Sequence, residues 1–226
     1  NWDELKTAIN TFKGKNIIPF GGSIDESYYL IECFILSAGG AAGHNSAFKN
    51  GIDPSWIAGL NAIKEVYQMG AFPKDALTIT DENARKLFYD KKAAMMVNGS
   101  WCVGQLTDKD NTVVVPFPLV KDAKADPTDI IAGFGTGLYM SKPLNDQKKG
   151  MPLKLLKYLS SPEVVGSFAE KTGASPAIKC DKLNVSPAAQ SGFTMVANAK
   201  SVSNPIDMQI KPEAFTYIRK NLAYVV

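Results

Sequence analysis

The sequence predicts an α/β protein in which short strands alternate with helices. Three observations carry that reading. Apolar residues recur at helical spacing in several segments that open on capping residues and close on glycine. Short apolar or β-branched runs lie between those segments. Neither a repeat nor a low-complexity tract interrupts the alternation.

The elements follow in order. Leu5, Ala8, Ile9 and Phe12 keep one helical face, with Asn1 and Glu4 spaced as a capping box and Gly14 as the stop. Ile17 to Phe20 reads as a strand running into Gly21-Gly22. Glu26 to Ser37 is apolar nearly all round, which predicts a buried helix stopped by Gly39-Gly40. Asp53-Pro54 opens a helix that carries Ile57, Leu60, Ile63 and Tyr67 and ends at Gly70. Thr80 caps a helix over 81–90, Ala93 to Val97 is a strand, and a short helix runs from Trp101 to about Leu106. Strands are predicted at Thr112 to Phe117 and Ile130 to Met140. Helices follow at 153–159, 162–171, 187–199 and 212–226.

Composition narrows the function classes. The 226 residues are 45% hydrophobic and 21% charged, with a net charge of +3 spread along the chain. No basic block is present, so nucleic acid is not expected as a partner. No run approaches the roughly 18 apolar residues of a membrane span. Both ends lie inside predicted helices and read as cut, so the lack of a signal segment says nothing about export. Cys33, Cys102 and Cys180 are widely spaced and form no metal or redox motif. They read as small buried hydrophobes, with one disulfide as the alternative.

Catalytic machinery is not apparent. His44, the lone histidine, falls in a glycine-rich stretch and reads as a surface-loop residue. Without a second histidine the usual zinc and facial-triad sites cannot be assembled, and no metal or cofactor is expected. Gly133 to Gly137 is followed by strand residues and no helix, which suits close backbone approach better than phosphate binding. Asp25 and Glu26 read as acids at a helix start. Glu32 differs, because it interrupts an apolar helix. A charge there needs a partner, an exposed face or a ligand. Trp101 sits just past a strand end, and Tyr28 and Tyr29 follow a glycine turn. Flat rings beside amides and acids suit the apolar faces and hydroxyls of a sugar, and each ring could equally serve the core.

Several stretches carry a resemblance. Gly70-Ala71-Phe72-Pro73 followed by Phe88 to Trp101 resembles the "G-x-F/M-P" and "G-K-A-A-M-x-x-N-G-x-W" segments of the family 1 extracellular solute-binding proteins, the maltose-binding-protein-like receptors of ABC importers. Asn1 to Leu5 is similar to that family's "T-W-D-E-L" helix start. Gly133 to Ser141 is similar to its "G-G-x-G-x-x-I-S" strand. Ser160 to Glu163 with Phe168 to Pro176 is similar to its "L-T-S-P-E-x-Q…F-x-x-x-T-G-x-x-P" helix pair. The matches keep the family order. Asp90-Lys91-Lys92 stands where the family has glycine-lysine, and residues 186–205 match nothing closely.

The resemblance implies a type II periplasmic-binding-protein fold, with two α/β lobes around a ligand cleft, and a chain lacking most of the first lobe. Residues 1–128 are then the first part of lobe two, 129–176 the crossover and a portion of lobe one, and 177–226 the return to lobe two. Stranded lobe-one surface would be exposed, or would associate with a second copy. The implied function is non-enzymatic capture of a mono- or oligosaccharide for ABC permease subunits, in an extracellular or periplasmic protein anchored as a lipoprotein. Trp101 would be the stacking platform and Tyr28 and Tyr29 a wall. Glu32 and Asn98 would partner hydroxyls, and Gly133 and Phe134 would line the other side or the hinge. The same fold could take a polyamine or phosphodiester instead. Arg85 and Arg219 are the only arginines, which disfavours an anion clamp. A carbohydrate hydrolase would need two facing carboxylates.

Overall fold

A computed structural model describes residues 1–46, 51–133 and 137–226. In chain order its elements are α1 (Trp2–Gly14), β1 (Ile18–Phe20), α2 (Tyr28–Asn45), α3 (Pro54–Gln68), α4 (Asp81–Tyr89) and β2 (Ala93–Met95). A 3₁₀ turn (Ser100–Gln105) precedes β3 (Ile130–Ile131), α5 (Lys142–Gln147), α6 (Met151–Leu159), α7 (Pro162–Thr172) and α8 (Pro187–Ala197). The chain ends with β4 (Val202–Ser203), a 3₁₀ turn (Ile206–Met208), α9 (Pro212–Asn221) and a last 3₁₀ turn (Leu222–Tyr224).

Two compact units emerge. Unit 1 comprises Asn1–Gly99, Val115–Gly133 and Met195–Val226, and unit 2 comprises Ser100–Val114 and Phe134–Thr194. Among the described residues both strand pairs are parallel. In one, Ile18 pairs with Ala93 and Phe20 with Met95; in the other, Ile130 pairs with Val202 and Ile131 with Ser203. Parallel neighbours require crossover connections, which the intervening helices supply.

Unit 1 holds a large core. Trp2, Leu5 and Ile9 from α1 meet Leu30, Ile31, Phe34 and Ile35 from α2, and Trp56, Ile63 and Val66 from α3. The predicted capping box at Asn1 and Glu4 is present, as are the Asp53 and Thr80 caps. α2 and α3 come together because Gly59 lacks a side chain. A Cβ there would stand 2.7 Å from the Ile35 Cα.

Unit 2 is built differently. Among the described residues its buried hydrophobic side chains are few: Cys102, Val103, Leu106, Ala169, Ala188 and Ala189. Ser161 caps α7, whose end is turned by Gly173 in the left-handed region at φ 70°. Leu144, Met151, Leu155, Tyr158 and Phe168 are exposed along α5 to α7. Exposed apolar surface is thus present within 129–176, as expected.

Several sequence expectations need correction. Gly39-Gly40 does not stop α2. Gly40 adopts φ 62° and ψ −176°, and the helix resumes after that kink to Asn45. His44 therefore lies inside the fold, fully buried, and not on a surface loop. Residues 112–117 form no strand; the Val114 N–H donates to Ser191 Oγ instead of a neighbouring strand. The strand predicted to begin at Ile130 covers Ile130–Ile131, and Phe134 lies outside the described residues. Helix α5, opened by Ser141 with Pro143 in its first turn, was not anticipated. Among the described residues no disulfide joins the cysteines; Cys102 is buried, and Cys33 and Cys180 are half-buried.

Candidate functional site

Of the residues singled out in the sequence, Tyr28, Tyr29 and Glu32 lie on the N-terminal half of α2, and Asn98 comes beside its first turn, all in unit 1. Asp81, the first residue of α4, ties that end in place. Ser27 Oγ donates to Asp81 Oδ1 at 2.8 Å, and the Asp81 N–H donates to Glu26 Oε2 at 2.8 Å. Arg85 Nε pairs with Asp81 Oδ2 at 2.9 Å. Asn98 approaches the same carboxylate, Nδ2 to Oδ1, at 3.5 Å, and its own Oδ1 accepts the Gly99 N–H at 2.9 Å. Asp81 thus gathers a hydroxyl, a guanidinium and an amide around one carboxylate, beside the first turn of α2.

The tyrosine pair sits on that turn. The Tyr28 and Tyr29 ring centroids are 4.2 Å apart at 38°, and Phe215 of α9 meets Tyr28 edge-on at 4.8 Å. Tyr28 Oη donates to Asp207 Oδ2 at 3.4 Å, a long and weak bond. Asp207 Oδ1 is buried with no hydrogen-bond partner among the described residues. Burial holds both tyrosine ionisations above the ordinary phenol value, and the nearby carboxylates add to it. The two phenols therefore stay neutral donors at physiological pH, set beside carboxylate acceptors.

Glu32 lies one helical turn beyond Tyr28 on the same face of α2. Its side chain is 2% exposed and already engaged. Both carboxylate oxygens accept the Ile206 N–H at 3.2 Å, and His44 Nε2 stands 3.5 Å from Oε2. Burial raises the Glu32 ionisation, and the His44 contact opposes that shift. Of the three sequence readings for this charge, the structure supplies the partner. Gly133 is close to the same turn. A Cβ there would stand 2.6 Å from Met208 Sδ and 3.0 Å from Pro205 Cδ, so the backbone is approached closely, as read from the sequence. Trp101, the second residue of the Ser100–Gln105 turn, belongs to unit 2 and is 51% exposed.

Asp81, Asp207 and Phe215 escaped the sequence reading. Asp81 reads as an ordinary first-turn acid after the Thr80 cap. Asp207 lies just beyond the 186–205 stretch that matches no motif, and Phe215 reads as one apolar residue of a terminal helix. Nothing local marks them, because their role arises from chain segments brought together by folding.

The family model described as bacterial extracellular solute-binding protein matches residues 1–218. The chain belongs to the bacterial extracellular solute-binding proteins. Solved solute-binding proteins share its fold. A chitin oligosaccharide binding protein superposes with a TM-score of 0.79 at 20% identity, covering 100% of this chain and 59% of its own. A probable secreted solute-binding lipoprotein from Streptomyces coelicolor gives 0.81 at 18%, covering 99% and 58%. A solute-binding protein solved in complex with raffinose gives 0.70 at 16%, covering 100% and 61%. This solute-binding chain therefore spans about three fifths of the length of those relatives. No curated protein matches it in sequence. Family and relatives are binding proteins, and no helix among the described residues is long and apolar enough to cross a membrane.

Proposed function

We propose that this chain is part of the receptor of an ABC importer and captures a mono- or oligosaccharide between two lobes that close on it. The observation that carries this is the Tyr28–Tyr29 pair, with neutral hydroxyls, beside the buried unpartnered oxygen of Asp207. Ring faces take the apolar C–H face of a sugar, phenol and carboxylate take its hydroxyls, and closure excludes water. The tyrosines form the wall, Asn98 is a hydroxyl partner and Trp101 is the stacking platform. Glu32, also read as a hydroxyl partner, acts through the groups it holds. Gly133 and Phe134 line the opposite side or the hinge. The chitin-oligosaccharide and raffinose-bound relatives support the sugar reading.

In the whole protein, residues 1–128 and 177–226 belong to one lobe, and 129–176 cross over to the other. The change from unit 1 to unit 2 after Gly133 agrees with a crossover there, while residues 100–114 and 177–194 also fall in unit 2, so the units and the proposed lobes do not share all their bounds. ABC permease subunits are the partners, and the whole protein works outside the cytoplasm on a lipid anchor. The exposed apolar residues of α5 to α7 give this fragment a surface for self-association.

A second reading follows from charge. Asp81, Asp207 and Glu26 crowd the α2 start, while Arg85 is bound to Asp81, which would also suit an amine-bearing solute such as a polyamine. Thermal-shift screening of the full-length protein against chitin oligosaccharides, xylo-oligosaccharides, raffinose and spermidine separates the two. A shift with a sugar is expected, and Trp101→Ala weakens that sugar by about tenfold or more, the scale of one lost aromatic contact. A shift with spermidine alone would replace the sugar reading. Unchanged affinity in Trp101→Ala would return that ring to a structural role.

A further inference from the structure

Glu32 and His44 are 2% and 0% exposed, inside unit 1. A carboxylate and an imidazole buried this completely need organised partners, since desolvation disfavours both when charged. On a continuous helix the two would stand about 18 Å apart. They meet because Gly40 breaks α2 in the left-handed region and turns the chain back. The His44 Nδ1 side faces Asn45 Oδ1 at 3.3 Å, leaving Nε2 toward the carboxylate. On its other side the carboxylate grips the Ile206 N–H with both oxygens. Ile206 begins the turn whose next residue, Asp207, accepts the Tyr28 hydroxyl. Tyr28 and Glu32 share a face of α2, so one helix holds both ends of the relay. Gly133, close against Pro205 and Met208, bounds the turn as well.

We propose that the buried Glu32–His44 pair is a positioning device that sets the Ile206–Met208 turn, and through it the place of the Asp207 carboxylate against Tyr28. This rests on the reading of Tyr28 and Asp207 as part of the solute wall. Glu32 and His44 touch no solute themselves. They fix an acceptor that would otherwise ride on a one-turn segment with no side-chain cap. The buried, unpartnered Asp207 oxygen is the atom so aimed.

The test uses the full-length protein with three substitutions and three readouts. Hydrogen exchange at the Ile206 amide reports the grip, the Tyr28 ring signals by NMR report the wall, and affinity for whichever sugar the wild type takes from the panel reports the consequence. In Glu32→Ala, Ile206 exchange rises and affinity falls, each by about tenfold, while α1 and α3 keep wild-type protection. Glu32→Gln retains an oxygen for the Ile206 N–H and stays within about threefold of wild type on both. His44→Ala changes neither Ile206 nor Asp207 and moves the same readouts in the same direction, which carries the test should Glu32→Ala not fold. Wild-type exchange at Ile206 in the folded alanine variants would overturn the proposal. So would unaltered affinity, or a glutamine variant as damaged as alanine. If the wild type binds no sugar, the sugar reading fails by itself, and Ile206 exchange with the Tyr28 signals still decides the positioning role.

Discussion

A carboxylate in an apolar helix must be satisfied or neutralised, and Glu32 is satisfied by residues that its own neighbourhood does not supply. One partner is a backbone N–H 174 residues away, and the other returns through a kink. At the surface the same chemistry gives a testable pH signature. Asp126 Oδ2 accepts from Lys200 Nζ at 2.9 Å, and its Oδ1 takes the Thr128 N–H at 3.0 Å. Those contacts, Lys200 first, hold the Asp126 ionisation at about 2, below the usual carboxylate range. A lowered native pKa contributes stability at pH values above the ordinary value of about 3.9, and that contribution is lost as pH falls toward 2. Asp126→Asn should therefore melt below wild type at pH 7, with the gap closing between about pH 4 and pH 2. Melting curves across that window check it; a gap that persists at pH 2 would assign the loss to something other than ionisation. The site clusters around Asp81 and Asp207 were illegible in the sequence for the reason seen at Glu32. A first-turn acid and an acid after proline look the same whether or not a distant tyrosine or asparagine meets them.

At the scale of elements, glycines divide into those that permit contact and those that merely end a helix. Gly59 lets α3 lie against α2, with the Ile35 Cα and N within 2.7 and 2.8 Å of a hypothetical Cβ. Backbone cannot yield as a flexible side chain can, so Gly59→Ala should destabilise unit 1 by about 1–3 kcal/mol. Gly14, at the end of α1, has open space around its Cβ position and no positive φ. Gly14→Ala should stabilise by about 0.4–1 kcal/mol, chiefly by restricting the unfolded chain. Denaturant titrations of the two variants make a matched pair, and equal effects would show that close helix approach is not what Gly59 serves. The helices with caps were legible because Asn1, Asp53, Thr80 and Ser161 satisfy N–H groups within three residues of themselves. The strand expected at 112–117 failed because β-branched residues suit a strand only where a partner offers its hydrogen bonds. Here Ser191 of α8 takes the Val114 amide instead.

At the scale of the whole chain, the two units differ in what they bury. Unit 1 encloses Trp2, Phe34, Trp56 and a run of aliphatic residues. Unit 2 leaves Met151, Tyr158 and Phe168 more than 60% exposed. Burial of apolar area is the main favourable term in folding, so unit 2 should open at lower free energy. Hydrogen exchange of this chain should show peptides spanning 151–172 exchanging well before those spanning 30–36 and 60–66. An apolar dye should bind the native state, and its signal should fall as the exposed residues are replaced by serine. Uniform protection across both units would contradict the expectation.

What the sequence determined by itself was local or cumulative. Helical spacing, caps and stop residues set most of the helices, because each depends on neighbours within a turn. Five motifs in family order pointed to the solute-binding fold, because order along a chain is itself sequence information. What only the tertiary structure decided was which polar groups meet. Gly39-Gly40 read as a stop, yet Gly40 turns α2 back and buries His44 against Glu32. The turn at Ile206 then brings Asp207 to Tyr28. Those contacts depend on a backbone conformation and on long-range closure, and neither leaves a periodic trace in the residues that take part.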